Sequence, residues 1–209
     1  MPKVKHVYIN GKLVGIGNIK IEEIEKEPEY FLNIVQDNCT SYPYEGDESV
    51  ILFSNHRSYN WNDAKLEELL NKFEEVPKNV DELVELLNKA GEYYYVAVYG
   101  YDHSGLSVSL TPFGCNWDSG LLGILRIDKS FTDPQKVAED WVKTVNMWLQ
   151  GDVYCVRVVN ELGDCVDDIC SIYVKNVKGV TEAVKDYLSR EYHFTDEDYK
   201  KAWEERTYI

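Results

Sequence analysis

Apolar and polar positions change period several times along the chain, and each change marks an element. The opening KHVYINGKLVGIG alternates apolar and polar residues around Asn10-Gly11, the dipeptide that a two-residue hairpin turn favours. Tyr30 to Val35 and Val50 to Phe53 follow as a strand and a short buried strand. The spacing then becomes helical. Leu66, Leu69, Leu70 and Phe73 fall on one face of a helix that Asn62 or Asp63 caps and Pro77 ends, and Leu83, Val84, Leu86 and Leu87 repeat the stripe before Gly91. Both stripes predict core-facing sides of amphipathic helices.

Tyr93 to Tyr101, rich in aromatic and β-branched residues, predicts a strand. Asp102 to Gly105 predicts a turn, Leu106 to Leu110 a second strand and Ile124 to Ile127 a third. Asp133-Pro134 opens a helix reaching Leu149, with Val137, Trp141, Val145 and Trp148 on one stripe. Tyr154 to Val159 and Ile169 to Val174 predict a hairpin around Gly163-Asp164. Beyond Lys175 the composition becomes more charged, and Thr181 to Arg190 and Asp196 to Arg206 read as two helices. Strands and helices without regular βα alternation predict an α+β fold: a mixed, mainly antiparallel sheet with packed helices. Residues 1–175 are expected as one domain, with an N-terminal hairpin region to residue 48 and a motif-bearing core over 49–175, and residues 176–209 as a helical appendage.

Composition narrows the function classes. With 44% hydrophobic and 13% aromatic residues, the chain of 209 residues has the apolar content of a folded globule. Lys and Arg total 22 against 37 Asp and Glu, a formal charge of −15 that repels phosphate backbones and disfavours direct nucleic-acid binding. Such acidity first of all keeps a surface solvated; the sharper reading is a face that occupies a basic groove on a partner. No apolar run of spanning length and no secretory signal is apparent, so no membrane partner is expected and the five cysteines are read as reduced thiols in a cytoplasm, Cys155 and Cys170 in the core.

Candidate chemistry gathers in three loops. Asn55 to Asp63 lies between a buried strand and a helix, where a rigid sheet can position binding groups; there Asp63 also suits capping, and His56 a local hydrogen bond. Asp102-His103-Ser104-Gly105 sets an acid, an imidazole and a hydroxyl side by side, although neighbours in a turn seldom align as a nucleophilic relay. Trp117 to Gly123 adds Asp118 and Ser119 but has no lysine for a phosphate-binding loop. His103, Asp118, His56 and Ser104 are thus the catalytic candidates, and Tyr59, Asp63, Tyr101, Trp117 and Ser119 the binding candidates. His56, His103 and Asp118 form a two-His, one-carboxylate set for a divalent metal, at separations that match no helix-borne spacing. No organic cofactor is expected.

The motif order H-R-x-Y-N (His56, Arg57, Tyr59, Asn60), Y-D-H-S-G (Tyr101 to Gly105), W-D-S-G-x-x-G (Trp117 to Gly123) and L-x-G-D-V-Y (Leu149, Gly151 to Tyr154) resembles a family of uncharacterised proteins from bacteriophages and bacterial mobile elements. The likeness spans Val50 to Val174. Residues before Asp47 and after Lys175 are additions relative to it, and Leu121 and Ile124 depart from the Gln and the Phe or Tyr of that pattern. The resemblance implies a bacterial cytoplasm and no particular reaction. Within that setting the acidity and the 16 tyrosines favour a binding protein that engages a host factor, with counter-defence as its role. The alternative is a small enzyme or ligand-binding protein, such as a metal-dependent hydrolase, built on the His/Asp/Ser loops.

Overall fold

A computed structural model describes residues 7–9, 12–15, 29–38, 40–56, 65–73 and 77–208. The fold is α+β, with a hairpin, two four-stranded sheets and five helices among the described residues. β1 (Val7–Ile9) and β2 (Lys12–Gly15) pair antiparallel with Ile9 opposite Lys12, the register of a two-residue turn; Asn10 and Gly11 themselves lie outside the described residues.

The first sheet has the order β4-β7-β5-β6, all antiparallel, from β4 (Val50–Ser54), β5 (Tyr93–Asp102), β6 (Leu106–Ser109) and β7 (Ser119–Asp128). Helices cover both of its faces. On one, α3 (Pro134–Leu149) packs Ala138, Trp141 and Val145 against Leu52, Val98, Leu125 and Ile127. On the other, α1 (Leu66–Leu70) and α2 (Val80–Ala90) bring Leu69, Leu83 and Leu87 onto Phe53, Tyr95 and Ile124. Burial on two sides explains why β7 carries the unbroken run Ile124-Leu125 at its centre. β7 also begins five residues before the expected Ile124, because Ser119 and Gly120 pair with Tyr101 and Gly100. Gly123 is required there: a Cβ would stand 2.2 Å from the carbonyl oxygen of Phe53.

The helix ends follow local chemistry. Asp133 accepts from the amide of Lys136 with Pro134 in the first turn, and Asn79 accepts from Glu82 while Gly91 closes α2 at φ 86°. α1 starts later than its expected caps, Asn62 and Asp63, which lie outside the described residues. Instead Asn55 Oδ1 accepts from the amide of Leu66 at 3.3 Å. Two further asparagines close one edge of the sheet, on the β6 side. Asn146 of α3 donates to the Val108 carbonyl and accepts from its amide, both at 2.9 Å, on the outer side of β6. Asn88 of α2 does the same to Tyr95 at 2.8 and 2.9 Å, where β6 does not reach along β5.

The second sheet has the order β10-β3-β8-β9. β3 (Tyr30–Gln36), β8 (Val153–Asn160) and β9 (Cys165–Tyr173) are antiparallel, and β10 (Thr207–Tyr208) adds parallel to β3. α4 (Val177–Leu188) and α5 (Asp196–Glu204) cover one face. Their Val180, Val184, Leu188 and Tyr199 are buried against Ile34, Tyr154, Val156 and Val158. Residues 176–208 supply half of the buried residues of this sheet's core and its edge strand. The other face is partly open, with Phe31 47% exposed.

The chain enters the second sheet, leaves it to build the whole first sheet, and returns. The return passes through Gln150-Gly151-Asp152, where Gly151 has φ 73°, the amide of Asp152 donates to the Met147 carbonyl, and the Gln36 side chain donates to the Gly151 carbonyl. Beside this crossing, Trp141 Nε1 donates to the buried Tyr42 hydroxyl at 2.9 Å, and burial raises the Tyr42 phenol pKa well above its ordinary range. No helix is long and apolar enough to cross a membrane among the described residues.

The cysteines correct an expectation. Cys155 and Cys170 are joined as a disulfide, with Cys155 buried and Cys170 exposed, while Cys115 is a half-buried free thiol and Cys165 an exposed one. The cause is a bulge: β9 places both Cys170 and Ser171 where β8 has only Cys155, and Ser171 adopts φ 58°.

Candidate functional site

The described parts of the three loops singled out in the sequence, Asn55 and His56 of the first and all of the other two, come together at one end of the first sheet, where β4 and β5 finish and β6 and β7 begin. The ladder continues one step past Tyr101 and Ser119, as the amide of Asp102 donates to the Asp118 carbonyl at 2.8 Å. That bond fixes the turn Asp102 to Gly105 against the loop before β7.

Two imidazole–carboxylate pairs result. His103 Nδ1 lies 3.1 Å from Asp118 Oδ2, and the His103 ring stacks on Tyr101 at 6.0 Å, with Phe113 on Tyr101 at 5.6 Å. His56 Nε2 lies 3.9 Å from Asp102 Oδ2. The amide of His56 donates to Ser54 Oγ, and that hydroxyl donates to the Leu122 carbonyl, so the start of the loop is tied to β7. Side chains alternate across a strand, so Tyr101 and Asp102 leave β5 on opposite faces, and the two pairs straddle the sheet end.

That alternation bears on the metal reading. His56, His103 and Asp118 do not form a cluster of donor atoms within 4.8 Å of one another; the one such group among the described residues is Cys155, Asp168 and Cys170, in the second sheet. His103 keeps Asp118 as its partner, while His56 has Asp102, a residue the sequence assigns to turn formation. Strand alternation was the signal that separates Asp102 from its neighbours, and it is visible only once β5 is extended to Asp102.

Exposure differs between the pairs: the His103 side chain is 63% accessible and that of His56 22%. Trp117 is 95% exposed. Ser104 sits in the turn at φ 61°, exposed, and Ser119 donates to the Cys115 carbonyl, which closes the loop before β7. Tyr59 and Asp63 lie outside the described residues. Two clefts lie away from this end. One of about 610 Å³ is bounded by Tyr30, Phe31, Tyr192, Phe194 and Glu205, and one of about 540 Å³ by Val84, Tyr99, Leu110 and Pro112.

Comparisons with known protein families, with curated proteins and with solved structures find no match to this chain.

Proposed function

We propose that this protein is an acidic binding protein that engages a host factor through the loop end of its first sheet. Trp117 carries the reading. An indole left 95% in water next to a carboxylate offers a large apolar surface with a polar rim, the composition of an interface anchor. Tyr101, Phe113, His103 and Asp118 cluster at the same end of the sheet, and the chain's charge of −15 suits a basic partner by attracting it before contact. The resemblance in motif order adds the setting, a bacterial host cytoplasm, and makes a component of host defence the proposed target. Phosphate backbones are repelled by this charge, so a protein rather than a nucleic acid is the proposed ligand.

Affinity capture from a bacterial host lysate, followed by titration of the purified captured factor, tests this. Trp117→Ala is expected to weaken binding at least about tenfold, and the wild-type affinity to fall with salt. A factor held equally by the wild type and by a Trp117→Ala/Asp118→Asn variant overturns the reading.

One observation favours the hydrolase alternative: His103 Nδ1 lies 3.1 Å from Asp118 Oδ2, so the carboxylate can orient the imidazole, half of a general-base arrangement. Ester or phosphoester hydrolysis lost in both His103→Ala and Asp118→Asn would favour it over binding.

A further inference from the structure

The open side of the second sheet holds a group of donor atoms that the loop end does not involve. Cys155 of β8 and Asp168 and Cys170 of β9 place two sulfurs and a carboxylate oxygen within 4.8 Å of one another. Asp168 and Cys170 are two apart on one strand and so share a face, with Cys170 Sγ 3.6 Å from Asp168 Oδ2. The bulge at Ser171 brings Cys170 level with Cys155 across the ladder. Ligands that sit about 2.0 to 2.3 Å from a single ion are less than about 4.6 Å from each other. The three donors therefore already occupy nearly the volume of a coordination sphere, and Asp168 and Cys170 are open to solvent.

We propose that reduction of the Cys155–Cys170 bond converts this group into a site for a thiophilic divalent cation of the zinc class. A cellular thiol reductant delivers two electrons and two protons to the S–S bond, giving two thiols while the reductant becomes a disulfide. The cation then displaces both thiol protons and forms two metal–sulfur bonds, Asp168 supplies the third ligand, and water completes a tetrahedron. Two thiolates select a soft or borderline ion over magnesium or calcium. Disulfide and metal exclude each other, so the site is present only in the reduced protein. It lies apart from the Trp117 patch and does not depend on the function proposed for it.

The test uses the full chain with Cys39, Cys115 and Cys165 replaced by Ser, so that only the paired sulfurs remain. After reduction by a phosphine, titration with Cd²⁺ is expected to give a sulfur-to-metal charge-transfer band saturating at one ion per chain, and competition with a chromophoric chelator to show that Zn²⁺ takes the same place. The oxidised protein should give no band. Asp168→Asn should weaken the ion at least about tenfold, and Cys170→Ser should abolish the band. No band after reduction, a bond that resists the phosphine in the folded protein, or equal affinity in Asp168→Asn overturns the proposal. In the unsubstituted chain, Zn²⁺ should slow alkylation of Cys170 and leave that of Cys165 unchanged, as read by mass spectrometry; equal slowing or none also overturns it.

Discussion

The two sheets solve the same problem with different amounts of cover. The first lies between α3 and the α1/α2 pair, so Leu52, Ile124, Leu125 and Ile127 have almost no contact with solvent. The second is covered by α4 and α5 on one face, and its other face exposes Phe31, Val166 and Cys170. The sequences follow: β7 holds Leu122 to Leu125, apolar but for Gly123, whereas β9 reads Cys-Val-Asp-Asp-Ile-Cys and faces water along much of its length. The difference teaches that the candidate loops hang from the sheet covered on both faces, while the bonded sulfurs lie on the more accessible one.

The sharpest way to break this comparison is at Trp141, fully buried in the first sheet's core and bonded to Tyr42. Trp141→Ala should destabilise the protein by about 3–5 kcal/mol in urea unfolding. Gly123→Ala comes next, because the new methyl meets the fixed Phe53 carbonyl rather than a movable side chain; a loss of about 3 kcal/mol and a slackened β4–β7 pairing by hydrogen exchange are expected. Asn88→Ala leaves the Tyr95 amide and carbonyl without their partner and should cost about 1–3 kcal/mol by thermal unfolding.

For the second sheet the expected effects are smaller. Asp198 accepts from the Thr195 hydroxyl and amide, and these bonds hold its carboxyl below the usual carboxylate range. Its contribution to α5 is present above the unfolded pKa and fades as the pH drops through the lowered folded value, so acid should loosen α5 below about pH 4. Thr195→Ala should remove about 1 kcal/mol at neutral pH and flatten that acid dependence, both read by circular dichroism. Phe31→Thr, on the open face, should change stability by less than about 0.5 kcal/mol; a larger loss would show that this face is as closed as the first sheet's.

Elements whose signals are local were readable in the chain. Asp133-Pro134, Asn79 with Gly91, and Gly163-Asp164 each mark their boundary because capping and turn bonds span only a few residues. The sequence grouped His56, His103 and Asp118 by residue type, and the structure pairs His103 with Asp118 and His56 with Asp102. What depends on register was hidden. Cys155 meets Cys170 only through the extra residue Ser171, His56 meets Asp102 only because β5 runs to that residue, and the docking of Val184 and Tyr199 under β8 depends on how the chain returns from the first sheet. Asn55, which reads as a loop residue, accepts from the first amide of α1 because its strand ends beside that helix.

The asparagines that grip Val108 and Tyr95 have a consequence for the protein in a crowded cell. A strand margin with free amides and carbonyls is a template on which another chain can polymerise. Here the β6 side of the sheet carries two carboxamides, each imitating one residue of a further strand and belonging to a helix. That side of the first sheet is terminated from within, and chain growth by strand addition along β6 and the adjoining stretch of β5 would first have to evict Asn146 and Asn88.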